Sequence, residues 1–118
     1  MIEPSAKASQ LIDGLKAFIR DEVAPLAQRE GILWGEPVPR PLLRDLWKRS
    51  CELGFYNAML PESLGGAGLS VAELCAVKEA AALSGSPLAA HVLGELSGPP
   101  RICHLFKVAS AHQVDAFL

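Results

Sequence analysis

Apolar residues at Leu11, Leu15, Phe18, Ile19, Val23 and Leu26 return at helical spacing, with Lys16, Arg20, Asp21 and Arg29 mostly between them. The pattern predicts a long first helix from about Ser5 to Glu30, ended by Gly31. Pro25 falls inside it. Proline has no N–H for the Asp21 carbonyl, so a kink or a break is expected there. Gly35, Pro37 and Pro39 make the segment from Gly31 to Arg40 a connecting loop. Pro41 suits the first turn of a second helix, where its missing N–H costs nothing. That helix has Leu43, Leu46, Trp47 and either Ser50 or Cys51 as its buried stripe, and Gly54 is placed to end it. The short apolar run from Phe55 to Leu60 is expected to be extended and buried.

Two capping patterns organise the second half of the chain. Ser70 and Glu73 stand at capping-box spacing, with Leu69 and Leu74 at the staple positions around them. The Ser70 hydroxyl is expected to accept from the Glu73 N–H, while the Glu73 carboxylate accepts from the Ser70 N–H. The alanine-rich helix opened there runs to about Ser84, where Gly85 closes it. Ser86 and Pro87 read as cap and first position of a fourth helix ending near Leu96, before Gly98. Pro99 and Pro100 start a fifth, carrying Ile102, Leu105, Phe106 and Val108. Ser110 and Gln113 repeat the capping spacing and open a sixth, with Val114, Phe117 and Leu118 apolar. So short a helix is marginal alone and reads as a truncated element. With no strand alternation, internal repeat or low-complexity tract, the fold class is all-α, with up to six helices.

Composition narrows the function classes. The 118 residues fit one domain, large enough to bury roughly two thirds of the surface its unfolded form exposes. Hydrophobic residues make up 50% and charged ones 20%, so the chain is globular and sits on the apolar side, as if part of its surface is meant to be covered. Eleven Lys and Arg against thirteen Asp and Glu give a formal charge of −2, which offers no face for nucleic acid. No apolar run is long enough to span a bilayer, and residues Met1 to Gln10 lack the apolar core of a signal peptide. Cys51, Cys75 and Cys103 are odd in number and widely spaced, as expected of reduced thiols in a cytoplasmic protein.

Candidate chemistry is sparse. The loop Pro61 to Ser70, with Gly65, Gly66 and Gly68, could cradle a phosphate at a helix start. It lacks the Lys-Ser or Lys-Thr of a Walker loop and the strand–turn–helix unit of a dinucleotide fingerprint. A tight turn in which glycine permits positive φ and close packing is the favoured reading. His91, His104 and His112 do not converge, and no set of three or four metal ligands can be named. Asp21, Glu22, Glu36 and Glu62 lack the paired partner that tunes a carboxylate for proton transfer. The residues by themselves mark no catalytic group.

Four segments in order resemble acyl-CoA dehydrogenases, and together they cover nearly the whole chain. Asp21-Glu22-Val23-Ala24-Pro25 is similar to the acidic-then-proline pattern of the family's opening helix. Trp47 to Phe55 resembles the helix that ends in Leu-Gly-Phe or a similar triplet. Leu60-Pro61-Glu62-Ser63-Leu64-Gly65-Gly66-Ala67-Gly68-Leu69-Ser70 is the most specific part. Ser110-Ala111-His112-Gln113 to Phe117-Leu118 resembles the segment in which a helix carrying Gln leads toward the family's middle domain.

The resemblance implies the N-terminal helical domain of a flavoenzyme that also has a middle β domain and a C-terminal four-helix domain. Such enzymes bind FAD and remove hydrogens from the α and β carbons of an acyl-CoA thioester. A glutamate base takes the α proton, and flavin N5 accepts the hydride. The base and most flavin contacts lie in the other two domains, so the chain stops before the expected Thr-Glu-Pro-like start of the β domain. Residues 1–118 alone are expected to hold no FAD and to be inactive. By position, the helix Pro87 to Leu96 corresponds to one wall of the acyl pocket, with Val92, Leu93 and Leu96 as substrate-binding residues; they are equally placed to be plain core residues. The implied partners are the acyl-CoA substrate, the two missing domains and further copies in a homo-oligomer. The alternative is a stand-alone helical interaction module without redox activity, and an excised domain or cleavage remnant is a third origin.

Overall fold

The computed structural model describes residues 5–58, 60–93 and 108–117, with the side chains of Leu64 and Phe117 outside that description. Every regular element among the described residues is helical. The first is α1 (Ala6–Phe18), which runs through a π turn at Ile19–Val23 into α2 (Ala24–Arg29). Ser5 caps α1, its hydroxyl accepting from the Ala8 N–H. The disturbance expected at Pro25 takes the form of that π turn. The Ala24 N–H reaches back to the Ile19 carbonyl, one residue further than in an α-helix. The turn holds Asp21, whose carbonyl the proline ring would otherwise strike. The helical stripe survives the insertion, with Leu15, Phe18, Ile19 and Val23 all buried.

Helix α2 ends at Gly31 in a Schellman motif: Ile32 N–H bonds the Ala27 carbonyl at 2.9 Å and Gly31 N–H the Gln28 carbonyl at 3.2 Å. Helix α3 (Arg40–Glu52) carries Pro41 in its first turn, as expected, and closes on the same motif through Gly54 and Phe55. Between the two candidates for its stripe, the structure buries Ser50 completely and leaves Cys51 exposed. The segment after α3 corrects the expectation of an extended stretch. Phe55, Asn57 and their neighbours form consecutive turns, with Ala58 N–H on the Phe55 carbonyl and Leu60 N–H on the Asn57 carbonyl. Turning in this way buries Phe55 and Ala58 while Tyr56 stays outside.

Helix α4 (Val71–Leu83) starts at the expected capping box, with both reciprocal bonds formed. Its small face, Val77, Ala80 and Ala81, lies in the buried centre together with Leu74. Helix α5 is a single turn, Ala89–Val92, shorter than the Pro87 to Leu96 expected, and Leu93 follows it as a turn. The fifth helix expected from Pro99 falls outside the described residues except for Val108. Helix α6 (Ala111–Phe117) begins at the second expected box, Ser110 N–H bonding Gln113 Oε1 at 2.9 Å and Gln113 N–H bonding Ser110 Oγ at 3.2 Å.

The core joins Leu15, Phe18 and Val23 to Leu46, Val77, Leu88 and Val92. The Phe18 and Phe55 rings stack with centroids 5.6 Å apart. Ser50 sits inside this apolar centre because its hydroxyl donates to the Val92 carbonyl, tying α3 to α5.

Candidate functional site

The glycine loop is built by its own backbone. Gly65 N–H bonds the Glu62 carbonyl at 3.0 Å, Gly66 the Pro61 carbonyl at 3.1 Å, Ala67 the Ala58 carbonyl at 3.2 Å and Gly68 the Leu60 carbonyl at 2.8 Å. All four amides are thereby committed within the chain, and none is left to meet a phosphate. Two glycines are required by geometry. Gly65 has φ 84°, ending a 3₁₀ turn at Glu62–Leu64, and a Cβ on Gly66 would stand 2.0 Å from the Leu60 carbonyl oxygen. The loop is a tight turn, and it does not fit the diphosphate of FAD.

At the end of the loop the capping box gains a further member. Glu73 Oε1 accepts from the Ser70 N–H at 3.0 Å, and Glu73 Oε2 accepts from the Ser5 hydroxyl at 2.6 Å. These bonds, led by the one from Ser5, hold the Glu73 carboxyl below the usual glutamate range. Lys7 pairs with Glu62 at 3.0 Å beside it. The Ser70–Glu73 half was legible as a local spacing; the Ser5 bond joins residues far apart in sequence and had no signal.

Two grooves flank the first helical rod. One of about 820 Å³ lies between α1, the π turn and α4, with Ile12, Ile19, Ala24, Ala76, Ala80 and Leu83 as its apolar lining. Lys16 and Arg20 border it from the first rod, and Glu79 from α4. The other, of about 530 Å³, lies between the π turn, α2 and α3, over Phe18, Leu26 and Leu46. At its edge Arg49 grips Glu22 with two bonds, Nε–Oε1 at 3.0 Å and Nη2–Oε2 at 3.2 Å, which anchors the π turn to α3. Arg20 holds the adjacent Asp21 in the same forked way and lowers its carboxyl from the ordinary aspartate value.

Val92 and Leu93, named from the sequence, lie side by side in the core, with exposures of 0% and 7%, and neither lines these grooves. Leu96 lies outside the described residues. Among the described residues no group of three His, Cys, Asp or Glu side chains could hold a metal ion, and no helix is long and apolar enough to cross a membrane. Cys51 and Cys75 are free and exposed.

Residues 5–118 match the model of the acyl-CoA dehydrogenase N-terminal domain. The chain belongs to that family. Benzylmalonyl-CoA dehydrogenase of Aromatoleum aromaticum is 36% identical to it over 87 residues, which cover 73% of this chain and 22% of that protein. The chain thus spans about a fifth of the length of this dehydrogenase. No solved structure gives a significant match. Within an acyl-CoA dehydrogenase N-terminal domain, the glycine loop has a plain role. It connects α3 to α4 and delivers Ser70 and Glu73 to the start of the helix.

Proposed function

We propose that this chain serves as the N-terminal helical domain of an FAD-dependent acyl-CoA dehydrogenase, which introduces an α,β double bond into an acyl-CoA thioester. The observation that carries the reading is the match of residues 5–118 to that domain. The similarity to a benzylmalonyl-CoA dehydrogenase supports a CoA thioester as the substrate class. In this reading the domain contributes packing and one wall of the acyl pocket, through Val92, Leu93 and Leu96. FAD belongs to the complete enzyme, and no residue of this chain is assigned to it. A cytoplasmic homo-oligomer is the corresponding assembly.

The test has two arms. Residues 1–118 purified alone are expected to show no flavin absorbance and no acyl-CoA-dependent reduction of a dye acceptor. An enzyme carrying this domain together with a middle β and a C-terminal helical domain is expected to show both. Leu93→Ala in that enzyme should shift the ratio of kcat/KM between short and long acyl chains. An unchanged ratio would remove Leu93 from the pocket wall and leave it a core residue. The second reading, a helical interaction module, is favoured by one observation: Leu83, on the border of the larger groove, is 78% exposed. Absence of flavin and turnover in the complete polypeptide would support that module instead.

A further inference from the structure

Ser5 and Glu73 lie 68 positions apart, and each already caps a helix. Ser5 Oγ accepts from the Ala8 N–H at 3.2 Å and donates to Glu73 Oε2 at 2.6 Å. On its other oxygen Glu73 accepts from the Ser70 N–H at 3.0 Å, while Ser70 Oγ accepts from the Glu73 N–H at 3.1 Å. One carboxylate therefore holds the entry turns of α1 and α4 together. Lys7, in the first turn of α1, pairs with Glu62 at 3.0 Å and fastens that turn to the loop leading into α4. Among the described residues, the ion pair beside the junction is Lys7 from α1 with Glu62 from the 3₁₀ turn.

We infer that Glu73 is a charge-dependent latch: while ionised, it makes the first turn of α1 and the loop entry of α4 open and close as one unit. The physical basis is that hydrogen bonds to an ionised acceptor are roughly twice as strong as neutral ones. Both serine contacts favour the ionised carboxyl, whose pKa lies below the ordinary value of 4.5. The opened state then takes up a proton more readily than the closed one. The latch is complete above the ordinary glutamate value and is lost as pH falls through the lowered, closed-state value. Local opening of this kind is read by amide protection.

The experiment is hydrogen exchange by NMR on the 118-residue chain, expressed as protection factors across the acid range. Glu73→Ala is expected to lower protection at Ala8, on the other helix, by roughly fivefold or more, given the strength of charge-assisted bonds. Ser5→Ala should reciprocally lower protection at Glu73 and Leu74, since coupling between two sites acts equally in both directions. Glu73→Gln keeps the capping shape and should abolish the acid dependence of Ala8 protection. The inference is overturned if Glu73→Ala loosens only α4 and leaves Ala8 as in the parent chain. It is equally overturned if Glu73→Gln keeps the parent pH profile, or if protection falls uniformly, buried Val77 included.

Discussion

At Gly66 a single added carbon would meet the Leu60 carbonyl oxygen at 2.0 Å and its carbonyl carbon at 2.5 Å. Both are backbone atoms, so relief requires the loop itself to move. Gly66→Ala is expected to cost about 2–3 kcal/mol, as overpacking of a rigid site does, seen as a lower urea midpoint at unchanged slope. Ser70→Ala should cost about 1 kcal/mol for the lost cap. Read from the spacing alone, Glu73→Ala is the milder change, since it removes only the reciprocal half of the box. The bond to Ser5 alters that ranking. We expect its midpoint shift to match or exceed that of Ser70→Ala, and a smaller shift would mean that the Ser5 contact contributes nothing in solution. The contrast marks what is legible at this scale. Ser70 and Glu73 recognise each other across a fixed local spacing, whereas Ser5 meets Glu73 only after α1 has packed against α4.

Elements follow the same division. The long first helix, the start of α3 at Pro41 and both capping boxes are local patterns, and the structure contains them. The π turn was legible as a disturbance at Pro25 but not as a form, because a missing N–H says that the ladder fails and not how it closes. Phe55 to Leu60 misled because so short an apolar run, interrupted by Asn57, carries no period; the Schellman closure of α3 sets the chain turning before it can extend. The choice between Ser50 and Cys51 was open for a similar reason. Either fits the stripe of α3, and only the Val92 carbonyl, 42 positions away, decides for Ser50. Ser50→Ala should therefore cost about 1–3 kcal/mol, the range for leaving a buried carbonyl without its donor. Denaturant midpoints check it, and a variant as stable as the parent would show that the Val92 carbonyl finds another donor. As for the candidate site, Val92 and Leu93 were named from a family position rather than from chemistry in the chain. Their burial matches a core role as well as a pocket wall.

On the scale of the whole molecule, the apolar composition has a visible counterpart. Leu83 is 78% exposed, Trp34 67% and Leu33 62%, and such side chains carry meaning where they join into a patch. Leu83 borders the 820 Å³ groove, and Leu33 lines a neighbouring depression with Ala24 and Ser84, residues that the two concavities share. Leu83 and Leu33 thus lie on adjoining concavities at the end of α4 and the start of α2, with Lys16, Arg20 and Glu79 bordering the larger one. Val114 on α6 is half-buried, and Val108 just before it is 82% exposed. A contiguous apolar patch beyond a few hundred Å² is rare on a monomer and tends to find a partner or aggregate. We therefore expect the weight-average mass of the chain in sedimentation to rise with concentration, and a hydrophobic dye to bind. Leu83→Lys, which places a charge on the border of the groove without touching the core, should lower both signals. If the parent chain sediments as a clean monomer at high concentration and binds no dye, this face is satisfied as it stands, and the covering surface inferred from composition does not exist.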